Sequence, residues 1–328
     1  MFRLAIAAVA LSLSAMGCAE PAPEAAGPVL LIGNKGEDTL SFVDLATGKE
    51  LGRSPTGHMP HEIAVSPDGR QAAVVAYGGK TIDIFDVATR ARVKTIDLSP
   101  NEGPHGIAWL NDGRIIVTTE RSQSIAILDP AAGTVTASIK TDQPGTHMVA
   151  VTGDGTTAYT ANIAAGTVTV IDLAGGRKLR DLAVGGRPEG IALSRDELVL
   201  WVGDLGGSRV QAFDTDTFDR LAELKTGGIP IRVAASPDGK WIVTSDLGAG
   251  GLTIIDAATR KHVRDVTLSG SEEAGQVTII FSPDGSRLYA AETGANVVAE
   301  VDLATGAVLR RLPAGKNGDG LAIAEARH

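Results

Sequence analysis

The chain has 328 residues, a formal net charge of -9, 21% charged and 43% hydrophobic residues, 40 glycines and one cysteine. An acidic balance of this size argues against a nucleic-acid face or an anionic membrane surface, and leaves metal ions, cationic ligands and neutral small molecules as partners. A single cysteine excludes an internal disulfide, a thiolate metal centre and a Cys-x-x-Cys-His haem attachment.

Residues 1–17 read as a signal peptide. Arg3 supplies the positive start, residues 4–13 form an apolar run broken only by Ser12, and small residues follow up to Gly17. The run is too short to span a membrane. Ala15-Met16-Gly17-Cys18 resembles a bacterial lipobox, with Ala15 where leucine is usual. Lipidation of Cys18 and ordinary cleavage after Gly17 are the two readings. Residues 18–28, rich in Ala and Pro, read as a tether. The expected location is the periplasm, with membrane contact only through a lipid anchor.

From residue 29 to 328 the chain repeats. Ser-Pro-Asp-Gly stands at 66–69, 236–239 and 282–285, with weaker versions at 111–113, 153–155 and 194–196. An Asp closes an alternating apolar run at Asp44, Asp86, Asp129, Asp172, Asp214, Asp256 and Asp302, at spacings of 42, 43, 43, 42, 42 and 46 residues. Seven markers mean seven units, and each unit holds four short strands. In the second unit these fall at 62–65, 72–76, 81–86 and 93–98, with period-two alternation in Thr81-Ile82-Asp83-Ile84-Phe85. Four strands per repeat of this length is the signature of a β-propeller blade. The expectation is an all-β, seven-bladed propeller. The first unit lacks its first strand, and residues 319–324 supply one from the other end, closing the ring in the N-terminal blade.

Thr160-Ala161-Asn162 followed by Thr167-Val168-Thr169-Val170-Ile171-Asp172, together with the Ser-Pro-Asp-Gly turns, resembles the YVTN-type, YncE-like propellers of bacterial envelopes. The resemblance covers nearly everything after Pro28. It implies the fold, and an envelope binding or accessory role that its members fill in different ways.

The chemistry is expected where first strands line the central channel. Seven residues before each first-turn Asp stand His61, His105, His147, Glu189, Ile231 and Val277, with Asp319 at the equivalent C-terminal place. Three of the chain's six histidines thus share one repeat phase on adjacent blades. Blades of a seven-fold ring are about 51° apart. Three imidazoles on one side of a narrow channel, each bonding at about 2.0–2.1 Å, could hold zinc or copper, and Met59 could add a soft ligand. Glu189 and Asp319 are the candidate general bases. A second ring, about ten residues before the marker Asps, holds Glu120, Asp204, Asp246 and Glu292 and predicts an electronegative channel mouth.

The alternative is that the histidines are solvated, or paired with Glu120, Asp319 or Glu189. Gly78-Gly79-Lys80-Thr81 lacks the first glycine of a phosphate loop, residues 214–219 lack the ligand pattern of a calcium loop, and no Gly-x-Ser-x-Gly occurs. Trp109, Trp201 and Trp241 read as core. Three functions stay open: a binding or accessory propeller with a metal or small ligand in its channel, a metal-dependent lyase, hydrolase or oxidase, and a scaffold for an envelope protein partner.

Overall fold

A computed structural model describes residues 27–325. The signal-peptide reading, Cys18 and all of the tether except Gly27 and Pro28 lie outside the described residues. Seven antiparallel sheets of four strands each are present, one for each marker Asp. In the second blade the strands are Pro60–Val65, Gln71–Ala76, Thr81–Asp86 and Arg92–Asp97, within two residues of the spans read from the sequence. Second and third strands are buried almost throughout, because neighbouring blades cover both faces of each sheet. Fourth strands alternate between half-buried and exposed and carry Lys and Arg, which keeps the outer edges from pairing with other chains.

Both repeat markers are turn devices. Asp44, Asp86, Asp256 and Asp302 each accept the backbone N–H three residues on, at 2.7–2.9 Å, pinning the turn into the fourth strand. In the Ser-Pro-Asp-Gly turns the Ser hydroxyl donates to the Asp at 2.5–2.7 Å. Trp201 is fully buried, as a core residue should be. Trp109 and Trp241 are only half-buried, and each lines an inter-blade cavity at the end of the ring opposite the histidines.

The ring closes as expected. Gly318–Ala324 runs antiparallel to Val29–Asn34, with Leu30 opposite Ile323 and Ile32 opposite Leu321. Gly320 is required there, since a Cβ would overlap the carbonyl oxygen of His61 on the next blade. Every innermost strand also begins with a register irregularity, such as that between Pro60 and Ile63. This bulge sets the direction of the first side chains at the channel mouth.

Candidate functional site

The seven innermost strands start at one mouth of the channel. The second to fourth blades bring His61, His105 and His147 there, on Pro60–Val65, Pro104–Trp109 and Thr146–Val151. The rings form a stack: His61 to His105 is 4.3 Å between centroids at 48°, and His105 to His147 is 3.5 Å at 28°. Tyr77 stands edge-on to His61 and His105 at 5.6 and 5.2 Å. Its hydroxyl donates to Glu120 Oε2 (3.4 Å), which also meets His147 Nδ1 at 3.4 Å. At the other end of the stack His61 Nε2 is 3.3 Å from Asp319 Oδ2, and Lys35 forms an ion pair with the same carboxylate.

Beneath the stack lies a buried bridge. Arg232, from the sixth blade, donates through Nη2 to Glu62 Oε1 of the second blade (2.6 Å) and through Nη1 to Glu189 Oε1 of the fifth (2.7 Å). His61 Nδ1 is 3.3 Å from the same Glu62 oxygen, and His147 Nε2 is 3.7 Å from the same Glu189 oxygen. The guanidinium therefore ties opposite sides of the ring together and sits below the imidazoles.

Four members of this cluster, Lys35, Glu62, Tyr77 and Arg232, were not singled out from the sequence. Glu62 and Arg232 occupy one repeat phase, immediately after His61 and Ile231, where three other blades carry Gly106, Gly190 and Gly320. A long charged side chain replacing a glycine twice at that phase was a legible signal. A Cβ on Gly106 would come within 2.8 Å of the His147 carbonyl oxygen, which is why that blade carries glycine there.

The expected ring of mouth acids divides. Glu120 reaches the histidines, whereas Asp204, Asp246 and Glu292 are buried inside their own blades. Asp204 accepts from Arg209 (2.9 Å), Asp246 from Thr244 and Thr253 (2.7 and 2.6 Å), and Glu292 from Arg311 (2.6 Å). The cause is a one-residue offset. Thr119, not Glu120, pairs with Pro104 as Asp204 pairs with Pro188, so the position ten before each marker belongs to the blade interior. The position at the mouth is one later and holds Lys35, Tyr77, Glu120, Ile163, Leu205, Leu247 and Thr293.

Comparison with known proteins agrees with this architecture. The family model described as lactonase, 7-bladed beta-propeller, matches residues 29–217. The chain belongs to this family. Among solved structures, the propeller is similar to hydrazine synthase from Kuenenia stuttgartiensis, with a TM-score of 0.71 at 18% identity over 81% of this chain and 95% of that one. It is also similar to a functionally unknown protein from Desulfotomaculum acetoxidans DSM 771, with a TM-score of 0.77 at 14% identity over 91% and 99% of the two chains. At such identities the likeness is one of fold. No curated protein matches the chain.

In this lactonase-family propeller the pKa values of two stacked imidazoles move in opposite directions. Burial, then the neighbouring His147 and His61, hold His105 well below the ordinary imidazole range, so it is neutral. Burial also opposes a charge on His147, but hydrogen bonds with Glu120 and Glu189 outweigh it and raise its pKa. Burial alone would raise Glu62, Glu189 and Asp319. For Glu62 the Arg232 charge wins, for Glu189 His147 and Arg232, and for Asp319 His61 and Lys35; all three are lowered. Burial and the charge of Glu120 raise Tyr77, which keeps its phenol a hydrogen-bond donor.

A three-histidine metal centre does not fit these rings as they stand. An imidazole ligates along a lone pair in its own plane, and two rings 3.5 Å apart and 28° from parallel do not aim at one ion. Among the described residues, His61, Glu62 and His105 place ligand atoms within 4.8 Å of one another, leaving His147 outside the set. Within that set Glu62 is already paired with the Arg232 guanidinium. The arrangement is equipped for hydrogen bonding and proton transfer.

Proposed function

We propose that this propeller is an envelope-located, YncE-like binding protein that takes a small uncharged molecule at the histidine mouth. The observation that carries the reading is His105. Its imidazole is neutral and 2% exposed, it contacts its neighbours through ring faces, and its Nδ1 has no hydrogen-bond partner. Leaving a buried polar atom unpaired costs about 1–3 kcal/mol, which a hydrogen-bonding guest would recover once its entry parts the stacked rings and uncovers that nitrogen. The surrounding charges are already paired, Glu62 and Glu189 with Arg232 and Asp319 with Lys35, so a neutral guest leaves them undisturbed. Calorimetry with small cyclic esters tests this. His105→Leu is expected to weaken binding at least tenfold, and equal affinity in both proteins would remove the mouth as the site.

A second reading, hydrolysis of a cyclic ester, is favoured by the opposed pKa shifts of two touching rings. Neutral His105 can take a proton from water as the oxygen attacks the carbonyl carbon. His147, as imidazolium, can give a proton to the departing alkoxide, and a hydroxy acid results. Two rings 3.5 Å apart are not readily both charged, so uptake by one is coupled to release by the other. The family's name agrees with this chemistry. Turnover lost in both His105→Asn and His147→Gln, with binding kept in the second, is the expected pattern; no turnover of any lactone by the native protein returns the site to pure binding.

The envelope location rests on residues 1–28 of the sequence. Cys18→Ser should turn a membrane-associated protein into a freely soluble one without unfolding it. Equal partitioning of the two proteins, with no lipid mass on the mature N-terminus, would refute lipidation.

A further inference from the structure

We infer that the ligand is amphipathic, a lactone carrying an alkyl tail, with its polar ring against the first three blades and its tail over the fifth and sixth. This rests on the mouth being the binding site. It comes from comparing the seven blades at one position. The residues that follow each second strand's blade-interior position are structurally equivalent: the N–H groups of Lys35, Tyr77, Glu120, Ile163, Leu205 and Thr293 donate to the carbonyls of Asn317, Met59, Gly103, Gly145, Arg187 and Gly275. Leu247 is the seventh, paired with Ile229. All seven therefore stand at one height around the mouth.

Their chemistry is not mixed at random. Blades one to three present Lys35, Tyr77 and Glu120, and all three contact the histidine cluster. Blades four to six present Ile163, Leu205 and Leu247, each half-buried. The sixth blade adds Ile229, 37% exposed, with the buried Ile231 two residues further along the same strand. The fold does not demand apolar residues here, since the equivalent places on the other side are filled by a lysine and a glutamate. Leucine and isoleucine left partly in water at this ring are therefore free for contact with a guest.

A guest spanning the mouth meets hydrogen-bonding groups at one end and aliphatic surface at the other. A lactone ring provides acceptors for Lys35, which keeps a donor beyond those facing Asp319 and His61, and has no formal charge, and an alkyl substituent matches Leu205, Leu247 and Ile229. A free fatty acid fits less well, because its carboxylate would face Glu120 and Asp319.

The test is a homologous series, γ-butyrolactone, γ-hexalactone, γ-octalactone and γ-decalactone, titrated into the full-length protein by calorimetry. Affinity is expected to rise about three- to fourfold per methylene until the apolar wall is covered. Leu205→Asn/Leu247→Asn should flatten that rise and leave γ-butyrolactone binding unchanged, with the melting temperature as the check on folding. His105→Leu should lower every member by a similar factor and keep the rise. If γ-butyrolactone binds and the tail adds nothing, the amphipathic inference is overturned and the mouth survives. If the double variant keeps the full rise, the tail lies elsewhere and the inference is also overturned. If no member binds, the mouth reading fails and takes the inference with it.

Discussion

Arg232 is the residue on which the site's electrostatics turn. It satisfies two buried carboxylates on opposite sides of the ring, and the only other basic group in contact with Glu62 among the described residues is His61, 3.3 Å away. Arg232→Leu should destabilise the fold by about 3–5 kcal/mol, because it leaves buried acids uncompensated. Adding Glu62→Gln and Glu189→Gln should recover much of that loss, as read by urea midpoints. The two inner histidines give opposite pH signatures. The fold keeps His105 neutral while the unfolded chain takes a proton near pH 6.5, so its contribution is whole above about 6.5 and is lost as pH falls below it. His147 is raised, so its contribution is whole below about 6.5 and is lost as pH climbs through its folded value. Melting temperatures between pH 5 and 8 should therefore fall less on the acid side for His105→Asn, and should drop only on the acid side for His147→Gln. Of this cluster, the histidines, Glu120, Glu189 and Asp319 were legible from the repeat phase. Arg232 and Glu62 were not paired, because 170 residues separate them and only ring closure brings them face to face.

Within a blade, a polar chain runs across the second, third and fourth strands. In the fourth blade Asn162 Nδ2 donates to Thr169 Oγ1 (2.8 Å), which donates to Asp181 (2.7 Å). The first blade keeps the start of this chain, Asn34 donating to Ser41 (2.8 Å). In the sixth blade, 84 residues beyond the fourth, the same places hold Asp246, Thr253 and Asp265, so two acids flank one hydroxyl. Burial, with a further contribution from Asp265, pushes Asp246 up to about 6. A carboxylate whose folded pKa is raised costs stability once pH exceeds its unfolded value near 3.9, and the full cost is reached above about 6. A rise of about two units corresponds to roughly 3 kcal/mol at neutral pH. Asp246→Asn should stabilise the protein at pH 7 by about 1–3 kcal/mol and change little at pH 4, measured by denaturant titration at both. A loss of stability at pH 7 would mean that the charged form is tolerated. At this scale the strands themselves were legible, because period-two runs and turn residues are local. The one-residue offset that separates Glu120 from the blade-interior ring was not, since only strand pairing fixes register.

Across the whole ring, stability depends on a contact between the two ends of the chain. The innermost strand of the first blade comes from residues 318–324, and it buries Leu321, Ala322 and Ala324 against Val29–Asn34 and the neighbouring blades. This closure was readable because the first unit starts one strand short and the last unit ends one strand long. It also carries the site, since Asp319 on the closing strand lies beside His61 and Lys35. Truncation before Gly318 would leave the inner edge of Val29–Asn34 unpaired and remove a buried carboxylate partner, against a total stability of about 5–15 kcal/mol. The melting temperature should fall by about 10 °C or more, and the protein should self-associate through the opened edge. Gly320→Ala separates closure from chain length. Its Cβ would collide with the His61 backbone, so the closing strand must shift while every residue remains present. Destabilisation by both changes, with weaker lactone binding in the second, is the expected result. A truncated chain that melts where the full one does would show that the ring is held by its blade-to-blade packing and not by the closing strand.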